Sequence, residues 1–152
     1  MPPMFFEDYN SETRLSTLAR TVTETDLVNF VGLAGFYEPL FMDKEYLQRE
    51  SPYKGGRLIP GALTYSLSEG LIIQTGALHG TGIAFLGLDL KITRPVYVGD
   101  TIRVEVETIE ARPSTRPDRG IVITMHHVYN QRDEEVMTCK VTRLVRRREP
   151  AA

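Results

Sequence analysis

The chain has one cysteine and three histidines among 152 residues, and that scarcity already removes several chemistries. A lone Cys139 forms no internal disulfide; it sits in an alternating, strand-like stretch, where a small buried hydrophobe is the ordinary reading. The histidines make no metal site. His126 and His127 are neighbours in an expected strand and so point to opposite faces, His79 stands beside Gly80, and no cluster of Cys or carboxylates completes a ligand set. A surplus of charge is also missing. The formal charge is −2, with 25% charged and 41% hydrophobic residues, which excludes both the basic footprint of a nucleic-acid binder and the low hydrophobicity of a disordered chain. Long apolar runs are absent too. The longest, around Leu71-Ile72-Ile73, is far short of the roughly 20 residues that span a bilayer, and no basic region followed by an apolar run opens the chain. The chain is read as cytoplasmic, with no nucleic acid and no membrane among its partners. Gly76, Gly80 and Gly82 precede an expected strand instead of following one, so no glycine-rich phosphate loop is present.

What is there fits one compact domain over residues 1–152. A chain of this length buries roughly two-thirds of its unfolded surface, enough for one core. Thr23, three residues ahead of Asp26, forms a capping box before Leu27, Phe30 and Val31, which predicts a short helix near 24–33 with Gly32 and Gly35 as stop signals. Asp43 caps a second short helix, and 51–56 reads as a loop. Pro60 then opens a third helix running from Gly61 to about Gly76. At about 100° per residue, Leu63, Leu67 and Leu71 share one face while Tyr65, Ile72 and Ile73 cover much of the other, a pattern that predicts burial nearly all round. Beyond it the period becomes two. Residues 83–96, 100–111, 120–130 and 134–146 read as strands, with Ile102, Val104 and Val106 alternating against Thr101, Arg103, Glu105 and Glu107. The pattern is an α+β domain, a long helix followed by antiparallel strands.

Gly35-Phe36-Tyr37-Glu38-Pro39-Leu40-Phe41-Met42-Asp43, followed by Pro60-Gly61, resembles the hydratase signature of the MaoC-like dehydratase and (R)-specific enoyl-CoA hydratase family. That signature is normally Gly-Asp-x-Asn-Pro-x-His-x-Asp, then His-Gly before the central helix. Pro95-Val96-Tyr97-Val98-Gly99-Asp100 resembles the family's Pro-x-x-x-Gly-Asp turn. The resemblance implies a hot-dog fold, with a curved antiparallel sheet wrapped around the long helix. It also implies a homodimer or dimer of dimers, and an acyl-CoA ligand whose carbonyl rests at the start of that helix, with no cofactor. The catalytic positions differ. Phe36 stands where the family has Asp, Phe41 where it has His, Glu38 where it has Asn, and Pro60 where it has the second His.

Adding water to an enoyl thioester takes a base to activate the water and an acid to protonate the α carbon, and a phenyl ring does neither. Glu38, between the two replaced positions, and Tyr37 beside it are the nearest titratable substitutes; Asp43 is accounted for by its cap. Glu69 lies on the long helix one turn from Tyr65, where a carboxylate needs a purpose or a partner. Its spacing from Gly61 also resembles hot-dog thioesterases that carry His-Gly-Gly at the helix start and an acid two turns on, although Pro60 and Ala62 replace the His and the second Gly. The amides near Gly61 and Ala62 suit a developing oxyanion, and Gly61 leaves room for a carbonyl. Catalytic candidates are therefore Glu38, Glu69 and Tyr37; substrate-binding candidates are Phe36, Phe41, Pro60, Gly61 and Ala62. Three functions stay open: a hydratase or dehydratase with a relocated acid/base pair, a thioesterase using Glu69, and a noncatalytic acyl-thioester binder.

Overall fold

A computed structural model describes residues 1–149. After a 3-10 turn at Phe6–Asp8, the elements are β1 (Arg14–Ser16), β2 (Arg20–Thr21), α1 (Glu24–Ala34), α2 (Pro39–Met42), α3 (Lys44–Glu50), α4 (Gly61–Gln74), β3 (Gly82–Ile92), β4 (Thr101–Pro113), β5 (Arg119–Tyr129) and β6 (Glu135–Arg146). The strands form one antiparallel sheet in the order β1-β4-β5-β6-β3, with β2 also pairing β4. α4 lies against one face. Val104, Val106, Val128, Cys139 and Val141 alternate inward from the sheet and meet Leu63, Leu67, Leu71 and Ile72 of α4, the arrangement in which a half-buried sheet hides one face.

Local chemistry sets the ends. Thr23 accepts from the Asp26 amide while Asp26 Oδ2 accepts from the Thr23 amide at 2.8 Å, and Gly35 closes α1 at φ 71°. Gly32 stays inside the helix, which runs through to Ala34. Asp43 Oδ1 accepts from the amides of Glu45 and Tyr46 and starts α3. Between them, Pro39 opens a single helical turn, α2, that no periodicity announced.

Two expectations need correcting. β3 ends at Ile92 and not at Val96, because the chain turns toward Pro95, which has no N–H to give; Thr93 and Arg94 both donate to Val136 O instead. α4 is not buried all round either. Ile73 is 57% exposed, and Ala62 and Ser66 are exposed beside it, on the side of the helix that the chain's own sheet leaves open. β1 and β2 were not expected at all. No helix among the described residues is long and apolar enough to cross a membrane.

Candidate functional site

A cavity of about 350 Å³ opens at the amino end of α4. Pro60, Gly61 and Thr64 form its floor, Phe41 and Tyr53 one wall, and Ile92 and Arg94 the other. Pro60 offers no side-chain cap to α4, and among the described residues no acceptor meets the amides of Gly61 and Ala62. These first-turn N–H groups keep their hydrogen-bonding capacity and the positive end of the helix dipole. A Cβ on Gly61 would overlap Ile92 Cδ1, so only glycine lets that side chain lie across the helix start.

The segment bearing the family-like signature is held in place by aromatic packing and one arginine. Phe30, Phe36 and Phe41 form a chain with ring centroids 5.2 and 6.0 Å apart, and Phe36 and Phe41 pack against the core. The rings at positions 36 and 41 thus pack on one another, and neither carries a group that transfers a proton. Arg57 ties the segment down, donating from Nη2 to Phe41 O at 2.8 Å and from Nη1 to Glu24 Oε1 at 2.6 Å.

Of the residues singled out from sequence, Phe41, Pro60 and Gly61 line this cavity. Phe36 stands behind Phe41, and Ala62 is exposed beside the opening. Glu38 is an exposed N-cap to α2 that makes no side-chain cap bond, and Tyr37 is 68% exposed. Neither lines the cavity. Glu69 lies two turns along α4, in a second cleft of about 520 Å³ shared with Ile73, Leu78, His79, Phe85 and Arg143. The chain therefore does not bring Glu38 and Glu69 together, and the lining at Gly61 contains no carboxylate and no imidazole.

Glu69 is bound tightly. Arg143 Nη2 donates to both of its oxygens, at 2.6 and 2.8 Å, and the two side chains keep only 17% and 12% of their exposure. The guanidinium also lies 4.9 Å from the Phe85 ring centre. The pair's charges reach its neighbours. Burial, then the Glu69 charge, pushes the Tyr65 hydroxyl up to about 12, and the same two causes push the Cys139 thiol up to about 12. Burial, then Arg143 and His127, holds the His126 imidazole down to about 3, with Nε2 2.8 Å from Thr124 Oγ1. Tyr65, Cys139 and His126 are thus kept neutral around one ion pair.

Arg143 was missed by sequence reasoning, yet a signal existed. Cys139, Val141 and Val145 face inward on β6, and position 143 falls in that register, where a cation must find a buried anion. The arginines at the chain's other end are structural. Arg147 pairs with Glu7 and Arg148 with Asp8, each lying over a phenylalanine of the opening segment.

Comparison with known proteins places this architecture. Residues 7–130 match the family described as MaoC like domain. The chain belongs to the MaoC-like domain family. It is 36% identical over 103 residues to protein MaoC of Klebsiella aerogenes, spanning 67% of this chain but only 30% of that protein. It is 29% identical over 102 residues to an (R)-specific enoyl-CoA hydratase of Rhodospirillum rubrum, covering 67% of each. Among solved structures, a monoamine oxidase regulatory protein from Archaeoglobus superimposes with a TM-score of 0.87 at 31% identity, covering 98% of both chains. A Mycobacterium tuberculosis protein described as having a double hotdog fold matches 99% of this chain with 47% of its own, at 17% identity and a TM-score of 0.86. The fold of this MaoC-like chain is the hot dog, α4 being the helix that the sheet wraps.

Proposed function

We propose that this protein is an acyl-thioester-binding member of the hydratase family, taking 2-enoyl or 3-hydroxyacyl thioesters in the cavity at the amino end of α4. The observation that carries the reading is the cavity itself, a largely apolar opening walled by Phe41, Ile92 and Met137 that ends on two uncapped amides. Its volume lies at the lower end of the range for small-molecule sites. The acyl chain rests on the apolar wall, and the thioester oxygen accepts from the Gly61 or Ala62 amide, which stabilises the enolate that forms when water adds at the β carbon. No cofactor enters; water and the thioester are the only reactants.

The cavity of one chain is equipped to bind and polarise but not to move protons. Turnover as a hydratase therefore draws on a carboxylate from outside the lining, Glu38 with Tyr37 from the exposed segment ahead of α2, or Glu69. One carboxylate suffices for the balance: it accepts a proton from the attacking water as oxygen bonds the β carbon, then returns that proton to the α carbon.

The working unit in this reading is a homodimer. Among the described residues β3 is the last strand of the sheet and its outer edge is unpaired, and it presents Ile83, Phe85, Leu86, Leu88 and Ile92 with 37% to 54% exposure. A long apolar edge of this kind is an association surface. A second copy is the fitting occupant, because a similar structure carries two hot-dog units where this chain has one.

The test is a panel of 2-enoyl and saturated acyl-CoA thioesters, followed by enoyl absorbance, free thiol and calorimetric binding. Enoyl loss without thiol supports hydration. Thiol release moves the reading to a thioesterase built on Glu69, and heat of binding with neither leaves a carrier. No binding across the panel overturns the proposal.

A further inference from the structure

We infer that the acyl group taken by the first cavity carries a carboxylate of its own, so that the ligand is the monothioester of a short dicarboxylic acid, and that Arg94 is the residue that selects it. This rests on the acyl-binding reading above and adds to it the class of acyl group.

The charge around this cavity has one sign. Among the described residues that line it, Arg94 is the single charged side chain, and no Asp or Glu faces the same space. The amides of Gly61 and Ala62 stand uncapped at its floor, where the helix dipole favours an anion. Arg57 lies behind the Phe41 wall and donates to Phe41 O, while its Nε is buried with no hydrogen-bond partner among the described residues. Its counter-ion, Glu24, keeps 49% exposure, and a carboxylate so screened by water neutralises it weakly. Apolar walls focus a field of this kind on whatever enters. A plain alkyl chain makes no use of it.

Arg94 is placed by its backbone and left free by its neighbours. The turn after β3 sets its amide on Val136 O at 3.3 Å. Its guanidinium forms no ion pair among the described residues, and the acids of the β5–β6 turn are engaged elsewhere: Glu134 accepts from Asn130 and Arg132, and Glu135 pairs with His127. Asn130, then Arg132 and last Arg94 hold the Glu134 carboxyl below its usual range, so Arg94 is near that acid without being its partner. A guanidinium with all its N–H groups unused suits a carboxylate, which it can bind with two parallel bonds. Tyr53 stands on the facing wall, where its hydroxyl can donate to the same group. The spacing fits a short diacid. Ile92 rests on Gly61, and Arg94 is two residues farther along, a backbone span of at most roughly 7 Å. One end of the acyl group then meets the Gly61 amide and the other meets Arg94, with the carbons between them against Ile92 and Phe41. A volume of about 350 Å³ is in keeping with a small acyl group.

The test is calorimetric binding to the full chain of glutaryl-CoA, of pentanoyl-CoA, which has the same number of carbons with a methyl in place of the carboxylate, of 5-aminopentanoyl-CoA and of free coenzyme A. Wild type should bind glutaryl-CoA about tenfold tighter than pentanoyl-CoA, the effect of one hydrogen bond to a charged group. In Arg94→Gln that preference should disappear. In Arg94→Glu it should pass to 5-aminopentanoyl-CoA, an exchange that an arginine with a merely structural role would not produce. Equal affinities in wild type, or a preference that survives Arg94→Gln, overturn the inference and leave the acyl-binding reading standing. A loss in Arg94→Gln that is as large for free coenzyme A as for glutaryl-CoA also overturns it, since Arg94 then holds a phosphate of the carrier. If no thioester binds, the acyl-binding reading falls and this inference falls with it.

Discussion

Breaking the Glu69–Arg143 pair on one side should cost this protein about 3–5 kcal/mol, a large part of the ~5–15 kcal/mol that holds a domain together. The magnitude follows from burial. At 17% and 12% side-chain exposure, each group left alone is a charge without a partner and with little water. Glu69→Leu strands the Arg143 guanidinium against Phe85, and Arg143→Met strands the carboxylate beside Tyr65. Replacing both together removes the charges as a pair and fills the space with apolar atoms, so Glu69→Leu/Arg143→Met should unfold within about 1 kcal/mol of wild type, or above it. The assay is urea unfolding followed by circular dichroism, at one protein concentration because association adds to apparent stability. If each single variant costs under about 1 kcal/mol, the pair behaves as a screened surface contact and the case for a built-in pair fails. If the singles cost what is expected, loss of activity in a Glu69 truncation says nothing about chemistry, and only Glu69→Gln, which keeps a hydrogen bond to Arg143, is a fair probe.

Three further outcomes are expected. His126, held down to about 3 from an ordinary 6.5, refuses a proton that the unfolded chain accepts; its stability contribution is complete above about pH 6.5 and falls as pH drops toward 3, by about 2 kcal/mol at pH 5. His126→Gln should flatten that part of the pH dependence in denaturant titrations, and an unchanged slope refutes it. Gly61→Val should weaken acyl-CoA binding at least tenfold by calorimetry while Gly70→Ala, with open space around it, leaves it unchanged; equal affinity in both places the ligand elsewhere. Gly120→Ala should lower stability by about 1–3 kcal/mol, because its Cβ would overlap the Phe6 ring that docks the opening segment; a neutral melt shows that the segment gives way freely.

The elements visible in the sequence are those whose cause is local. Thr23 and Asp26 sit three residues apart and cap α1 with no help from elsewhere, as Asp43 does for α3. The period of two in β4, β5 and β6 needs only a buried face. β1 and β2 went unseen for the opposite reason: three and two residues long, they exist because β4 offers Glu107, Val106, Glu105, Ile102 and Thr101 as partners 80 to 93 positions away. The early end of β3 was hidden likewise, since it depends on Val136 O accepting from two amides. At the site, the helix start and Phe41 were legible from motif spacing. Tyr53, Ile92 and Met137 of the cavity were not, because they converge from three separate segments.

The same division separates frame from chemistry. Nothing about a hot dog requires a proton-transferring pair after its first helix; it requires that the segment between α1 and α4 pack and hold its shape. Here Phe30, Phe36 and Phe41 meet that requirement with ring contacts, and Arg57 completes it through Phe41 O and Glu24. A charged or polar pair at positions 36 and 41 would hold water and protons there, whereas two phenyl rings make the wall apolar. The titratable carboxylate that remains close to the sheet and helix is then Glu69, and its arginine fixes where its oxygens point. A carboxylate held at 2.6 and 2.8 Å by one guanidinium nitrogen is oriented before any ligand arrives. It pays no ordering cost on binding, but both oxygens already accept from Arg143, a contact that competes with a water at the same oxygens. Hydration by such a group should therefore be slow when Arg143 is present and faster in Arg143→Gln, provided that variant folds. A rate that falls in Arg143→Gln with folding intact makes Arg143 part of the reacting group instead of a restraint upon it.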